Sequence, residues 1–166
     1  MIIINNDLKG TRIIIGNEKR DKINQCISLI PDFTEIQVPI LQKEEVFANK
    51  VGEENNNLMY KFTDNGGRKV CLTPELTAVI QKLALDRFKY EKDLKLFYVG
   101  ECFRGERPQA GRFRQFTQFG IEILNPTQDY TDYLIDLALS FCNIFKSAEY
   151  TINKEVTRGL DYYKEG

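Results

Sequence analysis

The chain contains no histidine at all, and its four cysteines, Cys26, Cys71, Cys102 and Cys142, lie far apart with no Cys-x-x-Cys pair. The commonest zinc ligand is therefore missing and no thiol cluster replaces it, so no metal site is expected and the cysteines read as reduced, mostly packed thiols. Acidic and basic side chains nearly cancel, leaving a formal charge of -1. Any attraction to nucleic acid must then come from a local basic patch and not from the molecule as a whole. Long apolar runs are also lacking. The opening Met1-Ile-Ile-Ile4 stops at Asn5-Asn6-Asp7, too short for a signal-peptide core, and no later run reaches the roughly 18 residues of a membrane span. A soluble, cytoplasmic protein without a membrane partner is expected. There is no internal repeat and no low-complexity linker, and 166 residues suit one compact domain that buries about 70% of its unfolded surface.

What is present is a series of well-punctuated elements. Ile23, Cys26, Ile27 and Ile30 recur at i, i+3, i+4 and i+7, which predicts a one-faced helix over 17–30, closed by Pro31. A half-buried strand follows at 34–38, ended by Pro39. The turn cluster Asp64-Asn65-Gly66-Gly67 joins a strand at 58–62 to one at 69–73 as a hairpin. Pro74 suits a first helical position, and Leu76, Val79, Ile80, Leu83 and Ala84 share a face of the helix it opens, which runs to about Tyr90. Two long strands, 94–103 and 112–124, flank the loop 104–111. A last amphipathic helix over 128–146 carries Leu134, Leu137, Phe141, Cys142 and Phe145 on one face, with a closing strand at 150–153. Hairpins with interspersed helices indicate an α+β domain on an antiparallel sheet.

The densest chemistry lies in the second long hairpin. Arg104, Arg107, Arg112 and Arg114 fall within eleven positions, and arginine's fixed fork of donors suits phosphate oxygens. A solvated basic turn held by Glu101 and Glu106 is the plain alternative. In the strand that follows, a side-chain period of two puts Arg114, Phe116, Gln118, Gly120 and Glu122 on one face and Phe119, Ile121 and Ile123 on the other. Gln118 and Glu122 stand roughly 13 Å apart along the strand. The glycine between them would leave room for a small ligand lying on the sheet, held at one end by the glutamine and at the other by the carboxylate. A solvent-facing polar strand with an incidental glycine would look the same in sequence.

The run Phe103-Arg104-x-Glu106-Arg107-Pro108-Gln109-x-Gly111-Arg112-x-Arg114-Gln115-Phe116-x-Gln118-Phe119-Gly120-x-Glu122 closely resembles motif 2 of histidyl-tRNA synthetases, which are class II aminoacyl-tRNA synthetases. Arg158-Gly159-Leu160-Asp161-Tyr162-Tyr163 is similar to that family's histidine-binding motif. Leu8 to Arg12 resembles the family's opening and Phe33 to Leu41 its motif 1. Leu72-Thr73-Pro74-Glu75-Leu76-Thr77-Ala78 resembles its amino-acid-binding turn, so the likeness extends over essentially the whole chain.

That resemblance implies a class II synthetase-like core over 1–166 that activates histidine with ATP and Mg2+ to histidyl-adenylate, for transfer to tRNA(His). It implies that Arg104 and Arg158 act on the α-phosphate, and that Glu106 and Arg112 contact the adenosine and outer phosphates. Glu75, Thr77 and Gln118 would hold the α-amino group, while Glu122 and Tyr163, with Tyr162 nearby, would recognise the imidazole. Class II cores usually dimerise through motif 1, so a homodimer is expected.

Two departures from the family stand out. Only 35 residues separate Glu122 from Arg158, where relatives usually carry an inserted helical domain. The chain also ends soon after the histidine motif, ahead of motif 3 and an anticodon-binding domain, and is expected to be an incomplete core. An enzyme is the first expectation. A non-catalytic histidine-binding paralogue that regulates a partner enzyme is the alternative, disfavoured because a sensor needs no α-phosphate clamp. A nucleic-acid-binding module built on the arginine hairpin comes third.

Overall fold

The computed structural model describes residues 2–5, 12–47, 56–107, 109 and 112–146. The closing strand expected at 150–153 lies outside them, as do Arg158, Tyr162 and Tyr163. Strands β1 (Ile2–Asn5) and β2 (Arg12–Ile15) pair antiparallel. Helix α1 (Glu18–Ser28) then leads to a short strand β3 (Thr34–Glu35). Strands β4 (Leu41–Lys43), β5 (Lys61–Thr63) and β6 (Lys69–Leu72) form one sheet in the order β4-β6-β5. Helix α2 (Thr77–Asp86) precedes the long hairpin of β7 (Leu94–Phe103) and β8 (Gln115–Leu124), and helix α3 (Thr131–Phe145) follows it.

The α+β class expected from the sequence is what is observed, with one difference in strand direction. β7 and β8 are antiparallel over ten residue pairs, but β3 joins the far edge of β7 in parallel. Only Thr34 and Glu35 pair, with the Ile36 N–H adding one bond to the Phe97 carbonyl at 2.8 Å. The alternation read over 34–38 therefore marks burial against the core more than ladder pairing, since Ile36 and Val38 pack beneath α2.

Both faces of the hairpin are covered, and its alternation sorts the cover. Phe119, Ile121 and Ile123 of β8 lie with Phe97 against Ile27, Ile30 and Phe33 from the α1 end and Leu137 and Phe141 from α3. The Phe119 and Phe141 rings meet edge to face at 5.1 Å. On the opposite face Leu96, Tyr98, Cys102 and Leu124 pack against Leu76 and Ile80 of the α2 segment. Helix α2 turns its other side, Ala78 and Val79, to Cys71 of the second sheet and to Phe47 and Met59 in the segments beside it. It is a wedge between two sheets, which is why three consecutive residues, Ala78, Val79 and Ile80, are all buried. Cys26, Cys71 and Cys102 are buried free thiols, as their scatter in the sequence suggested.

Two glycines allow the α2 side to approach the hairpin. A Cβ on Gly100 would lie 2.9 Å from a Leu76 methyl, and one on Gly120 would lie 2.2 Å from the end of the Tyr98 ring. The ring is buried and cannot swing aside. Gly120→Ala should therefore cost about 1–3 kcal/mol as an overpacking substitution. In a Tyr98→Leu background the added methyl finds space, so urea unfolding of the double-mutant cycle should show most of that cost recovered. Equal cost in both backgrounds would mean that Tyr98 does not occupy this space.

Candidate functional site

The pairing of β7 with β8 sets out the site. Leu96 stands opposite Glu122, Tyr98 opposite Gly120, Gly100 opposite Gln118 and Cys102 opposite Phe116, all on the α2 face. Across this face runs the strap from Thr73 to Thr77, held by bonds from the hairpin's own residues. The Phe103 N–H donates to the Thr73 carbonyl at 2.9 Å, and the Leu76 N–H donates to Gln118 Oε1 at 2.7 Å. Arg104 Nε donates to the Pro74 carbonyl at 3.0 Å. Thr73 Oγ1 closes the strap on itself by donating to the Glu75 carbonyl at 2.7 Å. The Arg104 bond explains why α2 begins at Thr77 and not at Pro74 as its proline suggested: it takes up the Pro74 carbonyl that a longer helix would have used, while Gln118 satisfies the Leu76 N–H that no helical carbonyl reaches.

Glu75, Thr77, Gln118 and Glu122, expected together, do converge on this face. The space over Gly120, expected to admit a ligand, is filled by Tyr98, a residue the sequence did not single out. Its hydroxyl lies 2.8 Å from Thr77 Oγ1 and donates to Glu122 Oε1 at a long 3.4 Å. A small ligand therefore cannot rest on the bare sheet at Gly120; it must lie beside the tyrosine, between the strap and the strand. Burial pushes the Glu122 carboxyl up to about 7, opposed by the Tyr98 hydrogen bond. Burial likewise pushes the Tyr98 phenol up to about 12, with the charges of Glu122 and Glu75 adding to it. Glu75 is thus within electrostatic reach of the same hydroxyl. Gln118 Oε1 already accepts from Leu76 and, at 3.3 Å, from the Cys102 thiol, which burial holds at about 12 and so protonated.

Arg104 emerges from the end of β7 at the edge of this network. Besides its bond to Pro74, its guanidinium carbon lies 5.0 Å over the Phe116 ring, a cation–π contact. Arg112 and Glu106 approach at 3.8 Å across the loop. Arg112 is 65% exposed, so this loose pair contributes well under about 1 kcal/mol and can reorganise onto a phosphate. Arg114 Nε donates to the Glu106 carbonyl at 3.2 Å, and the Arg104 N–H to the Arg114 carbonyl at 2.9 Å. Among the described residues, of the two acids that a plain basic turn would need, only Glu106 pairs with a loop arginine. Glu101 is engaged by Lys19, Gln115 and Thr117 instead.

The raised Glu122 carboxyl has a measurable consequence. A carboxyl whose folded pKa lies above its ordinary 4.5 contributes stability that is fully present below that value and is lost as pH rises through about 7. The unliganded chain should lose up to about 3 kcal/mol from this one group between pH 4.5 and 8, and Glu122→Gln should remove that loss. Urea unfolding of both proteins across this range should show curves that diverge as pH rises, with the variant the more stable at pH 8. Parallel curves would show that Glu122 titrates normally.

Residues 32–163 match the histidyl-tRNA synthetase family. The histidine--tRNA ligase of Methanococcus vannielii is 38% identical over 130 residues, covering 75% of this chain and 31% of its own length. That of Methanosarcina acetivorans is 44% identical over 101 residues, covering 60% of this chain and 24% of its own length. The chain thus spans between about a quarter and a third of the length of the curated relatives it matches. Among solved structures, apo histidyl-tRNA synthetase of S. aureus superposes with a TM-score of 0.66 at 27% identity, over 84% of this chain and 34% of its own. A Bacillus halodurans protein described as an ATP phosphoribosyltransferase regulatory subunit/histidyl-tRNA synthetase shares the fold at a TM-score of 0.70 and 21% identity, over 84% of this chain and 37% of its own. Motif run, hairpin register and similarity agree: the chain belongs to the histidyl-tRNA synthetase family.

Proposed function

We propose that this chain is a histidyl-tRNA synthetase-type catalytic core, one unit over 1–166, that joins histidine to the α-phosphate of ATP as the first step in charging tRNA(His). The observation that carries this reading is the convergence of two kinds of group on one strap. Glu75, Thr77, Gln118 and Glu122 offer acceptors for an amino acid with a hydrogen-bond donor in its side chain. Arg104, tied to Pro74 of the same strap, offers the cation that an α-phosphate needs.

In the reaction, the histidine carboxylate attacks the α-phosphorus and pyrophosphate leaves, forming a mixed anhydride. Glu75 and Thr77 hold the α-ammonium group, with Gln118 sharing its oxygen between that group and the Leu76 N–H. Glu122 accepts from an imidazole N–H, and an amino acid without that donor leaves the buried carboxyl only its long bond from Tyr98, which disfavours such a substrate. Tyr162 and Tyr163 complete the imidazole contacts. Arg104 and Arg158 neutralise charge that builds on the α-phosphate, and Glu106 and Arg112 part to receive the adenosine and outer phosphates. Among the described residues no group of three acidic or thiol side chains could hold a metal ion, so Mg2+ would enter on the ATP phosphates. Arg104 favours this reading over a histidine-binding regulatory protein, which has no use for it. We also propose a homodimer through α1 and β3, and residence in the cytoplasm, where tRNA is charged. No helix among the described residues is long and apolar enough to cross a membrane.

Histidine-dependent exchange of pyrophosphate into ATP tests the proposal. The unaltered chain should support exchange, and Arg104→Ala should lower it by about a thousandfold, the usual cost of losing one charge-stabilising group. Histidine binding without exchange would indicate the regulatory role instead.

A further inference from the structure

Among the described residues, the Tyr98 hydroxyl touches both ends of the proposed amino-acid site, and it plays no part in the scheme above. It bridges Thr77 Oγ1 at 2.8 Å and Glu122 Oε1 at 3.4 Å. We infer that Tyr98 is a positioning residue that relays the protonation state of Glu122 to Thr77, making capture of the substrate's ammonium group depend on an ionised carboxylate at the imidazole end. This rests on the assignment of Thr77 and Glu122 to histidine binding.

The inference follows from proton counting along three oxygens. A tyrosine hydroxyl has one proton to donate, and a threonine hydroxyl likewise has one. When Glu122 is ionised it can only accept, so Tyr98 donates to it and must itself accept from Thr77. The Thr77 proton then points into the protein, and its lone pairs face the pocket as acceptors for an ammonium group. When Glu122 is protonated it can donate to Tyr98. Tyr98 then donates to Thr77, whose own proton turns outward and opposes an ammonium group. The 3.4 Å contact is long for two oxygens, and a full charge on Glu122 would shorten and strengthen it.

The relay can respond near neutrality because burial holds Glu122 at about 7, while the phenol at about 12 keeps its proton throughout. Of the groups facing this line, Glu75 from the strap acts on Tyr98 through its charge. Cys102 beside Gln118 remains a neutral thiol. The Lys82–Asp86 pair of α2 is about half exposed and lies on the helix's outer side. Gly120 is what allows the ring to stand where its hydroxyl reaches both partners.

Calorimetry with two ligands separates the relay from everything else that titrates. The probes are histidine and 3-(imidazol-4-yl)propionate, which lacks only the amino group. The ammonium group lowers the imidazole pKa of histidine relative to that of the propionate, so each affinity is first corrected for the titration of its free ligand, and the ratio of the corrected affinities isolates ammonium capture. In the unaltered chain the preference for histidine should fall by about tenfold from pH 8 to pH 5.5, the worth of a hydrogen bond to a charged group. Tyr98→Phe keeps the ring over Gly120 but breaks the relay, so both ligands should still bind and their ratio should be flat across that range. Thr77→Ser, in an otherwise unaltered chain, keeps the hydroxyl and should retain the slope. A Tyr98→Phe ratio that falls as in the unaltered chain, or an unaltered chain with a flat ratio, would overturn the relay while leaving histidine binding intact. Failure of the unaltered chain to bind either ligand would overturn the proposed function along with the relay.

Discussion

Tyr98 stands opposite Gly120 in the β7–β8 ladder, and the missing Cβ lets the phenol lie across the neighbouring strand. A slip of β8 by one residue in this register would leave Tyr98 in place and send Gln118 and Glu122 to the other face, among the phenylalanines and isoleucines that pack on α1 and α3. The register is fixed by that sorting, because each face has its own cover. With it fixed, the hydroxyl meets Thr77 and Glu122, Gln118 meets the Leu76 N–H, and the strap from Thr73 to Thr77 has its shape.

The strap in turn joins two chemistries. Its backbone donates to Gln118 and accepts from Arg104, while its side chains Glu75 and Thr77 face the proposed amino-acid site. A displacement of Pro74 by even part of an ångström would move the arginine relative to the bound carboxylate, and reactions that rest on positioning are sensitive to such shifts. Side chains buried on α2 hold the strap from behind, with Leu76 and Ile80 on one sheet and Ala78 and Val79 on the other. The wedge of α2 between two sheets is therefore what keeps the site rigid, and stability and function draw on the same contacts.

Much of this was legible in the sequence, and what was not has a common cause. The alternation of Phe116, Gln118, Gly120 and Glu122 against Phe119, Ile121 and Ile123 reported the two faces of β8 correctly, since period two is a local property. Cys26, Ile27 and Ile30 marked the buried side of α1 for the same reason. The role of Tyr98 was hidden because it depends on which residue of β7 faces Gly120, and nothing within either strand states the register. The start of α2 was misplaced because Pro74 and Thr77 are both acceptable beginnings locally. The choice is made by Arg104, 30 residues away, which holds the Pro74 carbonyl. A glycine amid polar alternation signalled a close approach; it could not say whether a ligand or another side chain approaches.

The most direct test of the account is a crystal structure of the chain soaked with histidine. The account predicts the imidazole against Glu122 and beside the Tyr98 ring, with the ammonium group between Glu75 and Thr77 and the carboxylate turned toward Arg104. Histidine bound with its carboxylate on Glu122's side, or bound away from the strap, would contradict it.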